Sequence, residues 1–204
     1  MAPRVVPRSL LRRQASSLVT AGMFALALAF GARNAVADTG DSGGPFAWSK
    51  PMSAPSGWHR LVVAGGEASL SYPPGFTPAT SDPGAASAAL GPAPAYRAYL
   101  NVTPRQGDER TQDFAAFRTA HLRDEGDRLV RDDGGASGLH FFGGAGSGVA
   151  DDYVTRAGSH HYDEFAVLVR GRRDSWVVVG SVLAPDVAKL RPLVERAIDS
   201  FRTN

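Results

Sequence analysis

Between residues 161 and 182 the chain carries the two-residue rhythm of β-strands. In the segment Tyr162 to Arg170, Phe165, Val167 and Val169 fall on one side, while Glu164, Ala166, Leu168 and Arg170 fall on the other. Trp176-Val177-Val178-Val179, within Ser175 to Val182, has no alternation and predicts a central strand covered on both faces. Gly171-Arg172-Arg173-Asp174 between these two segments reads as a hairpin loop rather than a basic patch. Val149 to Arg156 predicts a third strand of the same antiparallel group.

The first half is more interrupted. Trp58 to Val63 and Ala68 to Tyr72 are short extended runs joined through Gly65-Gly66, a hairpin signal. Pro73-Pro74-Gly75 breaks the second run, and a Pro/Ala/Gly/Ser stretch follows to Pro94, within which Ser87 to Leu90 predicts a short edge strand. Tyr96 to Thr103 alternates as a strand. Asp127 to Arg131 predicts another, followed by a turn at Asp132-Asp133-Gly134-Gly135, with Gly138 to Phe142 continuing the sheet. The glycines of 143–148 read as a flexible hairpin loop or a bulge.

Two segments carry a helical period instead. Over Thr111 to Glu125, Phe114, Phe117 and His121 share a face with Ala120, and Gly126 closes the helix. His121 is expected there as a packed or hydrogen-bonded residue. Over Pro185 to Phe201, Val187, Leu190, Val194, Ala197 and Phe201 recur at spacings of three and four and give one buried face. Pro192 removes a backbone donor from that helix, so a kink or restart is expected near Lys189 to Arg191. The sum is an α+β fold: an antiparallel β-sheet flanked by helices, like an α/β/α sandwich, in one domain at residues 57–204.

What precedes that domain reads as an address. Arg4, Arg8, Arg12 and Arg13 form a basic start without an acid, Leu18 to Ala32 is almost wholly apolar, and Ala35-Val36-Ala37 supplies the small-x-small site of a signal peptidase. The apolar run of about 15 residues falls short of the roughly 20 that a spanning helix needs. Residues 1–37 are therefore expected to be a signal peptide cut after Ala37, leaving no permanent membrane span. Arg12-Arg13 raises the twin-arginine export route, but Leu11 before the pair and Ala15 after it favour the general secretory one. Ala35 and Ala37 are the recognition residues of this segment.

Removing the signal changes the charge argument. The chain has 22 basic and 20 acidic residues; five of the basic ones and none of the acidic ones lie before Asp38. The mature chain is mildly acidic with signs interspersed, so affinity for nucleic acid has no support. There is no cysteine. Neither a lipid anchor through cysteine nor disulfides can contribute, and a hydrophobic core must supply the stability. Arginine outnumbers lysine twenty to two, which with the Ala and Gly content points to a GC-rich bacterial genome. The expected destination is the periplasm or the extracellular space.

Residues 38–56 are rich in Gly, Ser, Pro and Asp without an apolar period, and read as a flexible tether, with Phe46 and Trp48 the side chains able to pack back on the domain. Gly40-Asp41-Ser42-Gly43-Gly44-Pro45 is identical to the segment around the nucleophilic serine of chymotrypsin-like proteases. That resemblance implies Ser42 as a nucleophile, but the histidine, the carboxylate and most of the barrel that such a serine needs precede the motif in that family. Here only Asp38 and an export signal do, and His59 lies downstream. The hexapeptide is expected to be a coincidence of a glycine-rich tether.

Ser71-Tyr72-Pro73-Pro74-Gly75-Phe76 after an early hairpin resembles the strand, Pro-x-Gly-aromatic entry of PsbP-like and LpqN-like domains. Trp176 to Ser181, followed by a helix ending Ser200-Phe201-Arg202, is similar to the way those chains finish. The resemblance implies an antiparallel sheet sandwiched by helices and an extracytoplasmic binding or accessory module, and it brings no catalytic residue with it. The Pro-rich segment 77–94 departs from the compact connection of that pattern.

Four clusters invite chemistry. Ser159-His160-His161-Tyr162-Asp163-Glu164 is the densest set of metal-ligating types, but neighbours on a strand point to opposite faces, so His160 and His161 are not expected to share an ion. Asp132-Asp133 and Asp151-Asp152 lack the alternating ligands of a calcium loop and read as solvated turn acids. Gly143 to Gly148 runs into a strand rather than a helix and lacks the lysine of a phosphate loop. Asn101-Val102-Thr103 fits a glycosylation sequon only incidentally, inside a predicted strand. No catalytic, cofactor-binding or metal-binding residue is assigned, and no cofactor is expected.

Two functional classes remain. One is a non-catalytic binding or accessory module of the cell envelope, its partner an envelope protein or a small ligand held by a sheet face or by the 73–94 loop. The other is a secreted hydrolase whose His59, His121, His140 and Asp163 meet only in three dimensions. A histidine within hydrogen-bond reach of both a carboxylate and a hydroxyl in a pocket would favour the second.

Overall fold

Strand alternation and glycine placement together decide the architecture. The computed structural model describes residues 44–105 and 107–204. Its first hairpin joins β1 (His59–Val62) to β2 (Ala68–Tyr72). Then come β3 (Thr77–Ala79), β4 (Ala86–Leu90) and β5 (Ala98–Pro104). Strand β4 is not at an edge, because β3 pairs beyond it. The outer strand is short and carries Pro78, a residue that only an edge tolerates easily because it cannot donate to a neighbour.

A 3₁₀ turn at Thr111–Asp113 leads into α1 (Phe114–Asp124). Next, β6 (Arg128–Phe141) and β7 (Gly144–Val154) form a long hairpin, followed by β8 (His161–Arg170) and β9 (Ser175–Leu183). Helix α2 (Val187–Asp199) and a two-residue β10 (Arg202–Thr203) close the chain. The large sheet is antiparallel with order β3-β4-β5-β9-β8-β7-β6, and a second sheet has order β1-β2-β10.

Three sequence expectations are corrected. Residues 132–135 do not form a turn between two strands; β6 passes through them, with register shifts between Leu129 and Arg131, Asp132 and Gly134, and Ser137 and Leu139. Turn-forming residues serve a bulged strand here: the Asp132 carboxylate accepts the Gly134 N–H at 2.8 Å, and Gly134 has φ +94°. Gly144 to Gly148 is strand as well, not loop. A Cβ on Gly146 would meet the Leu168 carbonyl, and one on Gly148 would come within 2.5 Å of the Phe46 ring, so close approach rather than flexibility explains those glycines. The third correction concerns α2, which runs unbroken through Pro192 instead of restarting before it.

Two cores lie on opposite faces of the large sheet. Phe165, Val167 and Val169 of β8 pack with Leu100, Val178, Leu190, Val194, Ile198 and Phe201 in the larger one, which also takes in Leu70 of the small sheet. Ala166 and Leu168 of β8 join Phe114, Val149, Val177 and Val179 in the smaller one, under α1. The alternation predicted for 162–170 is therefore the division between the two cores, and β9 is covered on both faces as its unbroken apolar run implies. Each fully buried large apolar side chain contributes roughly 1.5–3 kcal/mol.

The end of the segment expected as a tether lies on the larger core. Phe46 is buried and packs edge-on to Phe165, with ring centroids 5.6 Å apart, and Trp48 does the same at 5.4 Å. Beyond them, the Lys50 N–H donates to Asp199 Oδ1 at 2.8 Å and the Met52 N–H to the Asp199 carbonyl at 3.0 Å. Ala35, Ala37, Arg12, Arg13 and Ser42 lie outside the described residues.

Candidate functional site

Helix α1 presents a different face to the sheet from the one its apolar residues suggest. Phe114 and Leu122 are buried and Ala120 is exposed, so the inward line is Phe114, Arg118, Leu122, at steps of four. An arginine in the middle of a buried line needs a partner, since burying an unpaired charge costs several kcal/mol. That partner is Glu164 of β8, 1% exposed, whose Oε1 accepts from Arg118 Nε at 2.7 Å and Nη2 at 2.6 Å. Its Oε2 accepts the Ser181 hydroxyl at 3.0 Å.

Beside this ion pair a cavity of about 370 Å³ opens between α1 and the face formed by β5, β9, β8 and β7. Val177 and Val179 form part of its floor, and Phe117, Tyr99 and Tyr153 give it aromatic walls. Ser87, Tyr99 and Asn101 form a polar triangle next to it: the Ser87 and Tyr99 hydroxyls are 2.7 Å apart, and Asn101 Nδ2 donates to both at 3.0 Å. Asn101 Oδ1 is buried without a hydrogen-bond partner among the described residues. At the outer end His121 stacks on Phe117 and its Nε2 lies 3.2 Å from Glu125 Oε1. Size and mixed lining match those of small-molecule sites, which combine apolar walls with a few placed polar groups.

Behind Glu164, paired with it across β7 and β8, Asp151 is 1% exposed and neither of its oxygens has a hydrogen bond among the described residues. Burial, and secondarily the charge of Glu164, push its carboxyl up to about 8, against the opposing pull of Arg118. Both causes favour the protonated form of Asp151. The Tyr153 phenol is also pushed well above its ordinary range, chiefly by burial.

On the opposite face, Asp133, Asp152 and Asp163 each bring a carboxylate oxygen within 4.8 Å of the others. Their neutralisation is supplied by side chains. Arg131 lies 2.6 Å from Asp133 Oδ1 and 2.9 Å from Asp152 Oδ2, and Arg191 of α2 lies 3.3 Å from Asp163 Oδ2. His161 Nε2 stands 3.8 Å from Asp152, whereas His160 sits in the preceding turn, where its carbonyl accepts the Thr155 N–H. The arginines take the place that a cation would fill in such a cluster.

Asp151-Asp152 is therefore not a pair of solvated turn acids, whereas Asp132 is exposed, as that reading expects, though on a bulged strand. Asp151 and Asp152 are consecutive strand residues whose side chains enter opposite faces, one buried without a hydrogen-bond partner among the described residues and one paired to Arg131. Of the residues considered for a hydrolase, His59 is exposed on β1 beside the tilted Tyr72 ring, His140 is exposed on β6, and Asp163 does not line the cavity. Only His121 reaches the cavity. It has a carboxylate within reach in Glu125 but no hydroxyl partner among the described residues. Sequence reasoning missed Arg118 and Tyr99, and it read Glu164, Asp151 and Asn101 in other roles. The available signal was Arg118 lying four residues from each of two residues that bury, Phe114 and Leu122.

No protein-family model matches the chain, and no curated protein matches it. Among solved structures it is similar to cyanobacterial PsbP from Synechocystis, with 13% identity over 76% of this chain and 99% of that one and a TM-score of 0.49. It is similar also to LpqN, a Mycobacterium tuberculosis protein involved in cell envelope biogenesis, with 13% identity over 76% and 91% of the two chains and a TM-score of 0.35. A protein from Bacteroides thetaiotaomicron gives 12% identity over 71% of this chain and a TM-score of 0.43; this chain spans only 48% of its length. Both proteins that the sequence outline resembles are thus among the structures this chain is similar to, each at a TM-score below 0.5.

Proposed function

We propose that this protein is an exported, non-catalytic binding module of the cell envelope that holds a small ligand in the cavity between α1 and the large sheet. The observation that carries the reading is the cavity itself, about 370 Å³ with aromatic and valine walls and polar groups at its base. No helix of the described residues is long and apolar enough to cross a membrane. Residues 1–37 act as the signal peptide, cut after Ala37 by a peptidase that reads Ala35 and Ala37. Residues 38–56 link the signal to the binding domain at 57–204, with Phe46 and Trp48 seated on that domain's core, and the domain works in the periplasm or outside the cell. The hydrolase alternative loses support because His59, His140 and Asp163 are dispersed and only His121 lines the cavity.

Native mass spectrometry of the exported protein from its own host tests the reading. The expected species begins at Asp38 and carries a small molecule that is lost when Thr103→Trp fills the cavity from β5. A species beginning at Met1 would overturn the signal assignment. A ligand retained equally by Thr103→Trp would overturn the cavity assignment.

A further inference from the structure

We propose that the ligand of this cavity is a small organic ammonium compound, a protonated amine carried on an apolar body; this rests on the reading of the cavity as a binding site. The positive groups of the lining are already used. Arg118 spends two donors on one oxygen of Glu164, and His121 leans on Glu125. An anionic ligand would meet no cation of the described lining that is not already beside a carboxylate. Three carboxylates, Asp82, Glu125 and Glu164, line the cavity against one guanidinium, and Asp82 and Glu125 are exposed at its mouth. Such a mouth attracts cations and repels anions before contact.

The interior is built to the same sign. Aromatic rings from Tyr99, Phe117 and Tyr153 line the space, and a cation over a ring face gains about 0.5–2 kcal/mol. Tyr99 and Asn101 add neutral polar groups to the lining. The valine floor, Val177 and Val179, suits an apolar body. Behind Glu164, burial and the Glu164 charge both raise the Asp151 carboxyl, so this end disfavours further negative charge.

The test uses three matched probes on the mature protein by titration calorimetry: 2-phenylethylamine, its neutral counterpart 2-phenylethanol, and the anion phenylacetate. The amine is expected to bind at least about tenfold more tightly than the alcohol, with no measurable binding of phenylacetate. Neutralising the mouth with Asp82→Asn and Glu125→Gln, both surface changes, should remove most of that preference, and Thr103→Trp should abolish binding. Equal affinity for alcohol and amine, or preference for phenylacetate, overturns the ammonium assignment; if Thr103→Trp still blocks that binding, the cavity reading stands. Failure of all three probes to bind, together with no retained ligand in native mass spectrometry, overturns both. Vesicles containing phosphatidylethanolamine present the same ammonium on a membrane. The protein is expected to stay in the supernatant, and co-sedimentation abolished by Thr103→Trp would overturn the free small molecule as its source.

Discussion

Arg118 holds Glu164 through a single oxygen, with Nε at 2.7 Å and Nη2 at 2.6 Å, and leaves the other oxygen to Ser181. The pair joins α1 to β8, with side chains 12% and 1% exposed, so it ties the helix down at the edge of the cavity. Arg118→Met should destabilise the protein by on the order of 3–5 kcal/mol, because Glu164 would be left buried and unpaired. Adding Glu164→Leu should recover most of that loss. Urea unfolding of the two variants and the wild type measures both effects.

Buried acids should give an unusual pH profile. Asp151 is pushed up to about 8 and Asp199 to about 6, in each case mainly by burial. A raised carboxyl keeps its proton in the folded state while the unfolded chain has lost it, so stability falls as pH rises from about 4 to the folded value and levels off above it, by at most about 1.4 kcal/mol per pH unit for each group. Asp199 therefore acts between about pH 4 and 6, and Asp151 on to about 8. The charges facing Asp151 are Arg118 from α1, Asp132 from β6, Asp152 on its own strand and Glu164 from β8. Asp151→Asn should flatten the part of the profile between pH 6 and 8. Urea midpoints at pH 5, 6, 7, 8 and 9 check this; an unchanged slope in the variant would show that Asp151 does not keep its proton.

Gly148 and Phe46 share one space, since a Cβ on Gly148 would lie 2.5 Å from the nearest ring carbon. Gly148→Ala should destabilise the wild type, while Phe46→Ala should cost about 3–5 kcal/mol by opening a cavity over Phe165. In the Phe46→Ala background the Gly148→Ala change should cost less than it does alone. A double-mutant cycle by thermal unfolding reads the coupling, and strict additivity would show that Phe46 is not seated on β7.

Asp199 should govern the docking of residues 50–52. Its Oδ1 takes the Lys50 N–H and its carbonyl takes that of Met52. Asp199→Ala should accelerate exchange of the Lys50 amide by at least about tenfold while leaving Met52 closer to wild type, because only the side-chain acceptor is lost. Amide hydrogen exchange followed by NMR separates the two positions.

Much of the fold was legible where structure is local. The alternation in 162–170 survives as β8, the apolar run at 176–179 as the doubly covered β9, and the spacing of Leu190, Val194 and Ala197 as the inner face of α2. These patterns are read correctly because each is a period of the backbone itself. Asp132-Asp133-Gly134-Gly135 and Gly143 to Gly148 were misread because the residues that allow turns also allow bulges and close strand contacts, and nothing within the segment tells which neighbour will arrive.

The candidate site was less legible for a related reason. Charged residues scan as surface, so Arg118, Asp151 and Glu164 gave no sign of burial, and the apolar positions of α1 pointed to a face that includes exposed Ala120. The sequence by itself determined the periods of strands and helices, the absence of disulfides and the sign of the mature charge, all of which depend on residue type and spacing along the chain. Only the tertiary structure decided which charges are buried, which acid keeps its proton, and that a cavity lies between α1 and the sheet. Each of those depends on the pairing of residues distant in sequence, as Arg118 with Glu164, and on the water their meeting excludes.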